Sequence, residues 1–308
     1  MRITALAGGT GAAKLLRGLV AHVSPADLTV VVNTGDDTIV WGLHVSPDLD
    51  TVTYALAGVL DVGRGWGRAD ETFHCRDAMA ALGAPTWFNL GDRDLATQLA
   101  RTEALRGGRR LSDVTAEIAR ALGIETRILP MSDDPVRTRV RTPDGWLAFQ
   151  EYFVRERAQP KVIEVAYAGA DAARPAPGVL EAIGGAGLVV VCPSNPVTSI
   201  GPILAVSGIV EALGATPAPV VAVSPIVGGS AVTGPAAEMM RARGLPVSPA
   251  GVALAYVPWL DALVLDFADR DIGRDVEALD VRAVVADTIM RDRERERALA
   301  ATVLTAAR

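Results

Sequence analysis

The chain has 308 residues, half of them hydrophobic and about a fifth charged, with a net charge of −6. That composition excludes a disordered or low-complexity chain and suffices for one large domain or two modest ones, and the acidic balance argues against a nucleic-acid partner. Cys75 and Cys192 are too few for a disulfide framework, and His22, His44 and His74 stand at no zinc-site spacing. No apolar run reaches the roughly 18–20 residues of a membrane span, and the N-terminus lacks a signal-peptide core, so a cytoplasmic protein is expected.

Ile3–Ala7 is short and apolar and runs into Gly8-Gly9-Thr10-Gly11, after which Ala12–Val20 is apolar at helical spacing. This is strand, tight turn, helix, and with the apolar strand Leu28–Asn33 it opens a β-α-β unit on a parallel sheet. Helices are predicted over Thr51–Gly58, Glu71–Leu82, Asp94–Arg106 and Ser112–Leu122. Between about Glu125 and Ala168 the pattern changes to short strands, at Thr126–Leu129, Val136–Thr142, Trp146–Phe153 and Val162–Ala166, with Pro143-Asp144-Gly145 as a turn. Residues 125–185 therefore read as a small antiparallel insertion or lid, set between core segments 1–124 and 186–308. The α/β pattern then resumes with strands Leu188–Cys192, Val220–Ser224 and Ala262–Asp266 and helices Gly201–Leu213, Pro235–Arg243 and Asp292–Ala307.

Five loops carry residues suited to chemistry. Gly8–Lys14 lets backbone pass close to a ligand, and the helix start behind it favours an anion. The loop is neither a Walker loop nor a dinucleotide fingerprint, because Lys14 occupies the place of the third glycine. Only Lys14 and Lys161 are lysine among 30 basic residues, a weak hint that Lys14 is not freely exchangeable for arginine. Asp36, Asp37, Asp48 and Asp50 follow the second strand closely enough to share one hard divalent cation, though Asp50 also suits a helix cap before Thr51. In Leu90-Gly91-Asp92-Arg93-Asp94, Arg93 suits either a surface ion pair or a grip on a ligand phosphate or carbonyl. Ser194 and Asn195 follow the Leu188–Cys192 strand, and Ser224–Gly229 follows the Val220–Ser224 strand. Loops of this kind after successive strands point to one long cleft for an extended phosphorylated ligand.

Gly8–Lys14, Val31–Asp37, Ser46–Thr51, Leu90–Asp94, Leu129–Pro135, Pro193–Gly201 and Ser224–Ile226, taken in order along the whole chain, resemble the CofD/FbiA family, the transferases of deazaflavin coenzyme F420 biosynthesis. Gly63-Arg64-Gly65-Trp66-Gly67 and Tyr167–Asp171 are closer to the actinobacterial branch. The resemblance implies a three-layer, Rossmann-like parallel sheet with a smaller antiparallel region, a homodimer, and Mg²⁺ as cofactor. It implies transfer of a phosphoenolpyruvyl or 2-phospholactyl group from a guanosine diphosphate ester to the terminal ribityl hydroxyl of the deazaflavin Fo, with GMP leaving. Asp36 and Asp50, then Asp37 and Asp48, are the expected metal-side groups. Asp50 and Arg93 are expected against the deazaflavin, and which carboxylate takes the hydroxyl proton stays open. Gly9, Thr10, Gly11 and Lys14 are expected to cradle the diphosphate, Ser194 and Asn195 to hold the guanosine, and Ser224 to complete the cleft. Trp66 and Trp87 are candidates for stacking on the tricyclic ring, set against the commoner role of large aromatics as core. The rival reading is a non-catalytic nucleotide-sugar sensor resembling the YvcK-type regulators. Those carry Asp-Asp-Gly-Gly-Ser where this chain has Asp36-Asp37-Thr38-Ile39-Val40.

Overall fold

The computed structural model describes residues 1–307. Seven parallel strands form the central sheet: β1 (Ile3–Ala7), β2 (Leu28–Val32), β3 (Arg127–Pro130), β4 (Leu188–Val191), β5 (Val220–Val223), β6 (Ala262–Asp266) and β7 (Arg282–Ala286). Their spatial order is β7-β6-β5-β4-β1-β2-β3. The strands are runs of Val, Leu, Ile and Ala because both faces are covered, and alternate residues divide between two cores. Leu6, Val31, Val189 and Val191 belong to one, and Ala5, Val30, Val32 and Val190 to the other. The chain is thus a three-layer α/β protein, as expected.

Strand order reverses between β1 and β4. The chain leaves β1 toward β2 on one side and β4 toward β5 on the other, so their carboxyl ends open a crevice between diverging loops. Helix α1 (Gly9–Leu19) starts directly after β1. Its position is fixed by the C-terminal helix, through the buried Arg17–Glu296 ion pair. Helix α2 (Pro47–Leu56) begins four residues before the expected Thr51, because Pro47 supplies a helix-ready φ at its first position. Helix α3 (Asp92–Arg106) packs nearby, its first N–H groups capped by a residue distant in sequence: Glu71 accepts from the Arg93 N–H at 2.6 Å and the Asp94 N–H at 3.0 Å.

Two expectations need correction. Thr126–Leu129 is not part of the insertion, since β3 pairs in register with β2 as the edge of the central sheet. The small sheet consists of Arg137–Thr142, Gly145–Ala148 and Glu164–Ala168, antiparallel about the two-residue turn Pro143-Asp144. Its buried residues Val140 and Val165 join the same core as β4 and β5, so the insertion is packed onto the central layer and has no core of its own. Second, the segment after Ala148 is helical rather than extended, forming one wide turn over Glu151–Arg155.

Candidate active site

The cleft lies at the strand-order reversal. Its lining includes Gly8–Gly11 and Lys14 from the first turn, Asp36 from the loop after β2, Asp48 from α2, and Pro193–Asn195 after β4. Ser224 after β5 and Thr288–Met290 after β7 complete it from the far side. Four of the five loops singled out in the sequence therefore meet there, and the loop holding Arg93 does not.

Helix α1 starts with no side-chain cap, which leaves its first-turn N–H groups and the positive end of its dipole at the cleft. The turn is tight against the β4 loop. A Cβ at Gly11 would lie 2.2 Å from the Pro193 carbonyl oxygen, and one at Gly8 would lie 2.6 Å from Asp48 Oδ2. Gly11→Ala must therefore push the first turn away from the β4 loop. We expect it to lower melting temperature by several degrees and to abolish ligand-induced stabilisation, readable by thermal shift with and without nucleotide. Lys14 Nζ donates to the Met290 carbonyl at 3.1 Å, which anchors the ammonium at the cleft wall with N–H groups to spare. The Thr10 hydroxyl donates to Gly65 O at 3.0 Å, tying the glycine-rich 63–67 loop onto the turn.

Of the four aspartates, two form a pair and the other two turn to separate partners. Asp36 and Asp48 converge on the buried Asn33 carboxamide, whose Nδ2 donates to Asp36 Oδ1 at 2.8 Å and to Asp48 Oδ2 at 2.9 Å. Gly9 N–H also donates to Asp48. Burial, and then the charge of Asp48, push Asp36 well above the ordinary carboxylate range. Burial raises Asp48 from 3.8 to about 7, with the charge of Asp37 adding to it against the hydrogen bonds from Asn33 and Gly9. Asp37 turns elsewhere: its Oδ2 meets His44 Nε2 at 2.8 Å and the Ser46 hydroxyl at 2.9 Å, and its Oδ1 is buried without a partner.

Asp50 is neither a helix cap nor part of the cleft lining. It lies inside α2, ion-paired with the buried Arg101 of α3, and its Oδ2 also accepts from Gln98 Nε2 at 2.8 Å. Gln98 and the Tyr54 hydroxyl both donate to Asp94 Oδ1, which burial and the charge of Asp50 raise to about 6. Among the described residues no three His, Cys, Asp or Glu side chains gather as a metal site, so the expected convergence of all four aspartates on one cation does not occur. The donor chemistry still fits Mg²⁺, which takes one or two carboxylates and fills its remaining positions with water and phosphate oxygens. Asp36 and Asp48 are the pair that would hold it.

Arg93 is exposed at the start of α3, with Nη1 3.3 Å from Ala69 O, and the structure does not bring it to Asp50. Ser194, Asn195 and Ser224 line the cleft, yet each side chain makes hydrogen bonds within its loops. The Ser194 hydroxyl donates to Gly8 O at 2.7 Å and accepts from Gly8 N, locking β1 to β4 at the reversal point. Asn195 Oδ1 accepts from Val197 N and Thr198 N, and Ser224 closes a turn with Ile226. The tryptophans are not on the lining: Trp66 lies under the Arg64 guanidinium, and Trp87 packs edge-on against Phe88. The cleft's aromatic wall is instead Phe149 and Phe153, stacked with centroids 5.6 Å apart and planes 10° from parallel. Phe153 is 40% exposed. Their spacing of four residues was the available clue, hidden by reading that segment as a strand.

The chain is similar to known proteins along its whole length. A family model described as 2-phospho-L-lactate transferase CofD matches residues 3–306. A phosphoenolpyruvate transferase of Kitasatospora aureofaciens is 48% identical over 100% of this chain and 98% of its own length. A 2-phospho-L-lactate transferase of Methanosarcina acetivorans is 44% identical over 97% of each chain. A crystal structure of a UPF0052-family protein from Bacillus halodurans superposes with a TM-score of 0.69 at 18% identity, covering 98% of both chains, which establishes shared fold. No helix among the described residues is long and apolar enough to cross a membrane. With a match from one end of the chain to the other, and with the glycine turn, the carboxylate pair and the β4 loop gathered at one crevice, the chain belongs to the CofD family of transferases.

Proposed function

We propose that this chain transfers a phosphoenolpyruvyl group from a guanylylated phosphoenolpyruvate donor to the terminal ribityl hydroxyl of the deazaflavin Fo, giving dehydro-F420-0 and GMP. The observation that carries the reaction class is the pairing, across one cleft, of an uncapped helix start with two converging carboxylates. The preference for phosphoenolpyruvate over 2-phospholactate rests on relatives at 46–48% identity that bear that name.

The reaction forms one P–O bond, from the ribityl oxygen to the phosphorus bearing the organic acid. It breaks the P–O bond of the anhydride, so that GMP leaves with the electron pair. Such transfers need alignment and charge neutralisation more than covalent help. The α1 N-terminus and Lys14 are suited to hold the diphosphate, and the Phe149–Phe153 pair offers an apolar, π-faced wall to the tricyclic ring. A carboxylate of this cluster not engaged by the cation is suited to receive the hydroxyl proton. Mg²⁺, when bound, supplies neutralisation of the transferred phosphoryl charge. Under this reading the enzyme works in the cytoplasm as a homodimer.

The test is an assay by mass spectrometry with Fo, Mg²⁺ and, in separate reactions, the guanylylated phosphoenolpyruvate and phospholactate donors. We expect phosphodiester and GMP from the phosphoenolpyruvate donor and loss of turnover in excess EDTA. Product from phospholactate alone would reverse the donor assignment, and full activity in EDTA would remove the metal. Failure of both donors, with no Fo binding, would favour a sensor.

A further inference from the structure

Asn33 belongs to none of the groups that touch a substrate in the reading above, yet it is the most heavily bonded side chain at the site. It is fully buried. Its Oδ1 accepts from Gly35 N at 2.8 Å, and its Nδ2 donates to Asp36 at 2.8 Å, to Asp48 at 2.9 Å and to the Thr198 carbonyl at 3.3 Å. The amide orientation follows from its neighbours, because a backbone N–H can only donate and a carbonyl can only accept. Asn33 N–H also continues the parallel ladder by donating to Ala7 O at 3.0 Å. The side chain is therefore rooted in the central sheet.

We infer that Asn33 is a positioning residue that sets the mutual placement of Asp36 and Asp48 and couples them to the β4 loop through Thr198. Two features support this over a purely structural role. The carboxylates come from separate elements, the β2 loop and α2, and Asn33 is the side chain that donates to both. Its carboxamide is also uncharged. A lysine or arginine there would supply the pair with a resident cation, whereas an amide orders the two carboxyl groups and adds no counter-charge of its own. Partners of this kind behind metal- or proton-binding carboxylates set affinity by about 10- to 100-fold.

The inference deepens the proposed function and rests on it for the role of the carboxylates, so its first readout is independent of turnover. Mn²⁺ binding to the full-length protein without substrates is titrated by the loss of the free-ion EPR signal, alongside circular dichroism. We expect wild type to bind Mn²⁺ and folded Asn33→Ala to bind it about 10- to 100-fold more weakly. In the Asp48→Asn background, Asn33→Ala should then add much less, because one of the two groups it aligns is already gone. Wild-type Mn²⁺ affinity in folded Asn33→Ala, or no binding by wild type, overturns the inference. Should Asn33→Ala fail to fold, Asn33→Asp keeps the shape and the acceptor for Gly35 N–H, removes the donor hydrogens and places a third carboxyl against Asp36 and Asp48. It is expected to lower kcat about 100-fold with KM for Fo within about twofold, and unchanged kcat overturns the inference. Were wild type inactive with every donor, the functional reading would fall while the Mn²⁺ titration still decided the role of Asn33.

Discussion

Asp48→Asn is expected to make the metal-free protein more stable at pH 8 while lowering transfer by about 10²–10³-fold. The two effects share one cause. Asp48 is buried beside Asp36, and burial raises its carboxyl from 3.8 to about 7. Between those values the folded protein keeps the proton and the unfolded chain has released it. Stability contributed by the protonated form is therefore fully present below about pH 4 and is lost as pH rises toward 7. At 1.4 kcal/mol per pH unit, the loss reaches about 4 kcal/mol for a group so placed. Asparagine keeps the shape and one acceptor oxygen and cannot ionise. The melting-temperature gap between variant and wild type should be small near pH 4 and widen to roughly 5–10 °C by pH 8 in EDTA. A divalent cation should close the gap by stabilising wild type alone. Calorimetry across this pH range, with and without Mg²⁺, measures all three effects. A wild type as stable at pH 8 as at pH 5 in EDTA, and no less stable than the variant, would show that the pair is not held under charge strain.

The sequence made the site's location legible and its wiring much less so. Runs such as Leu188–Val191 announce buried strands, and a glycine turn after the first strand places a ligand at the carboxyl edge. Edge strand β7 escaped because its run is short and opens on Arg282, which an exposed edge position tolerates. The span Gly201–Leu213, read as one helix, is two, Ile200–Ala205 and Ile209–Ala215, divided before Gly208 at φ 90°. The aspartates are the most instructive case. Asp48 and Asp50 are equivalent as letters, but in a helix residues two apart point about 200° away from each other. With α2 starting at Pro47, Asp48 reaches the glycine turn and Asp50 points to α3. The helix register alone separates a cleft group from a framework group, and a start misjudged by a few residues conceals it. Arg101, the partner of Asp50, lies 51 residues away on α3, and no local pattern connects the two.

That framework group yields the opposite sign. Arg101→Met is expected to destabilise the protein by about 3–5 kcal/mol, because it leaves Asp50 buried without its cation. Arg101 is nearly inaccessible, pairs with both Asp50 oxygens and donates to Gln98 Oε1 at 2.6 Å. Gln98 in turn bridges Asp50 to Asp94, and Asp94 holds the Tyr54 hydroxyl at 2.6 Å. Removing the one guanidinium deprives two buried carboxylates of their counter-charge, so the fall in melting temperature, about 10 °C, should be larger at pH 8 than at pH 5, where an unpaired carboxyl can take up a proton. The double variant Arg101→Met with Asp50→Leu removes both charges together and should recover much of the loss, since buried ion pairs owe little net stability to their charges and much to not being broken. Recovery of stability in the double variant, measured alongside its transfer activity, separates two roles for Asp50. If Asp50 serves only to hold α2 against α3, activity returns with the fold. If the fold returns and turnover does not, Asp50 takes part in the reaction from a conformation in which it has left Arg101.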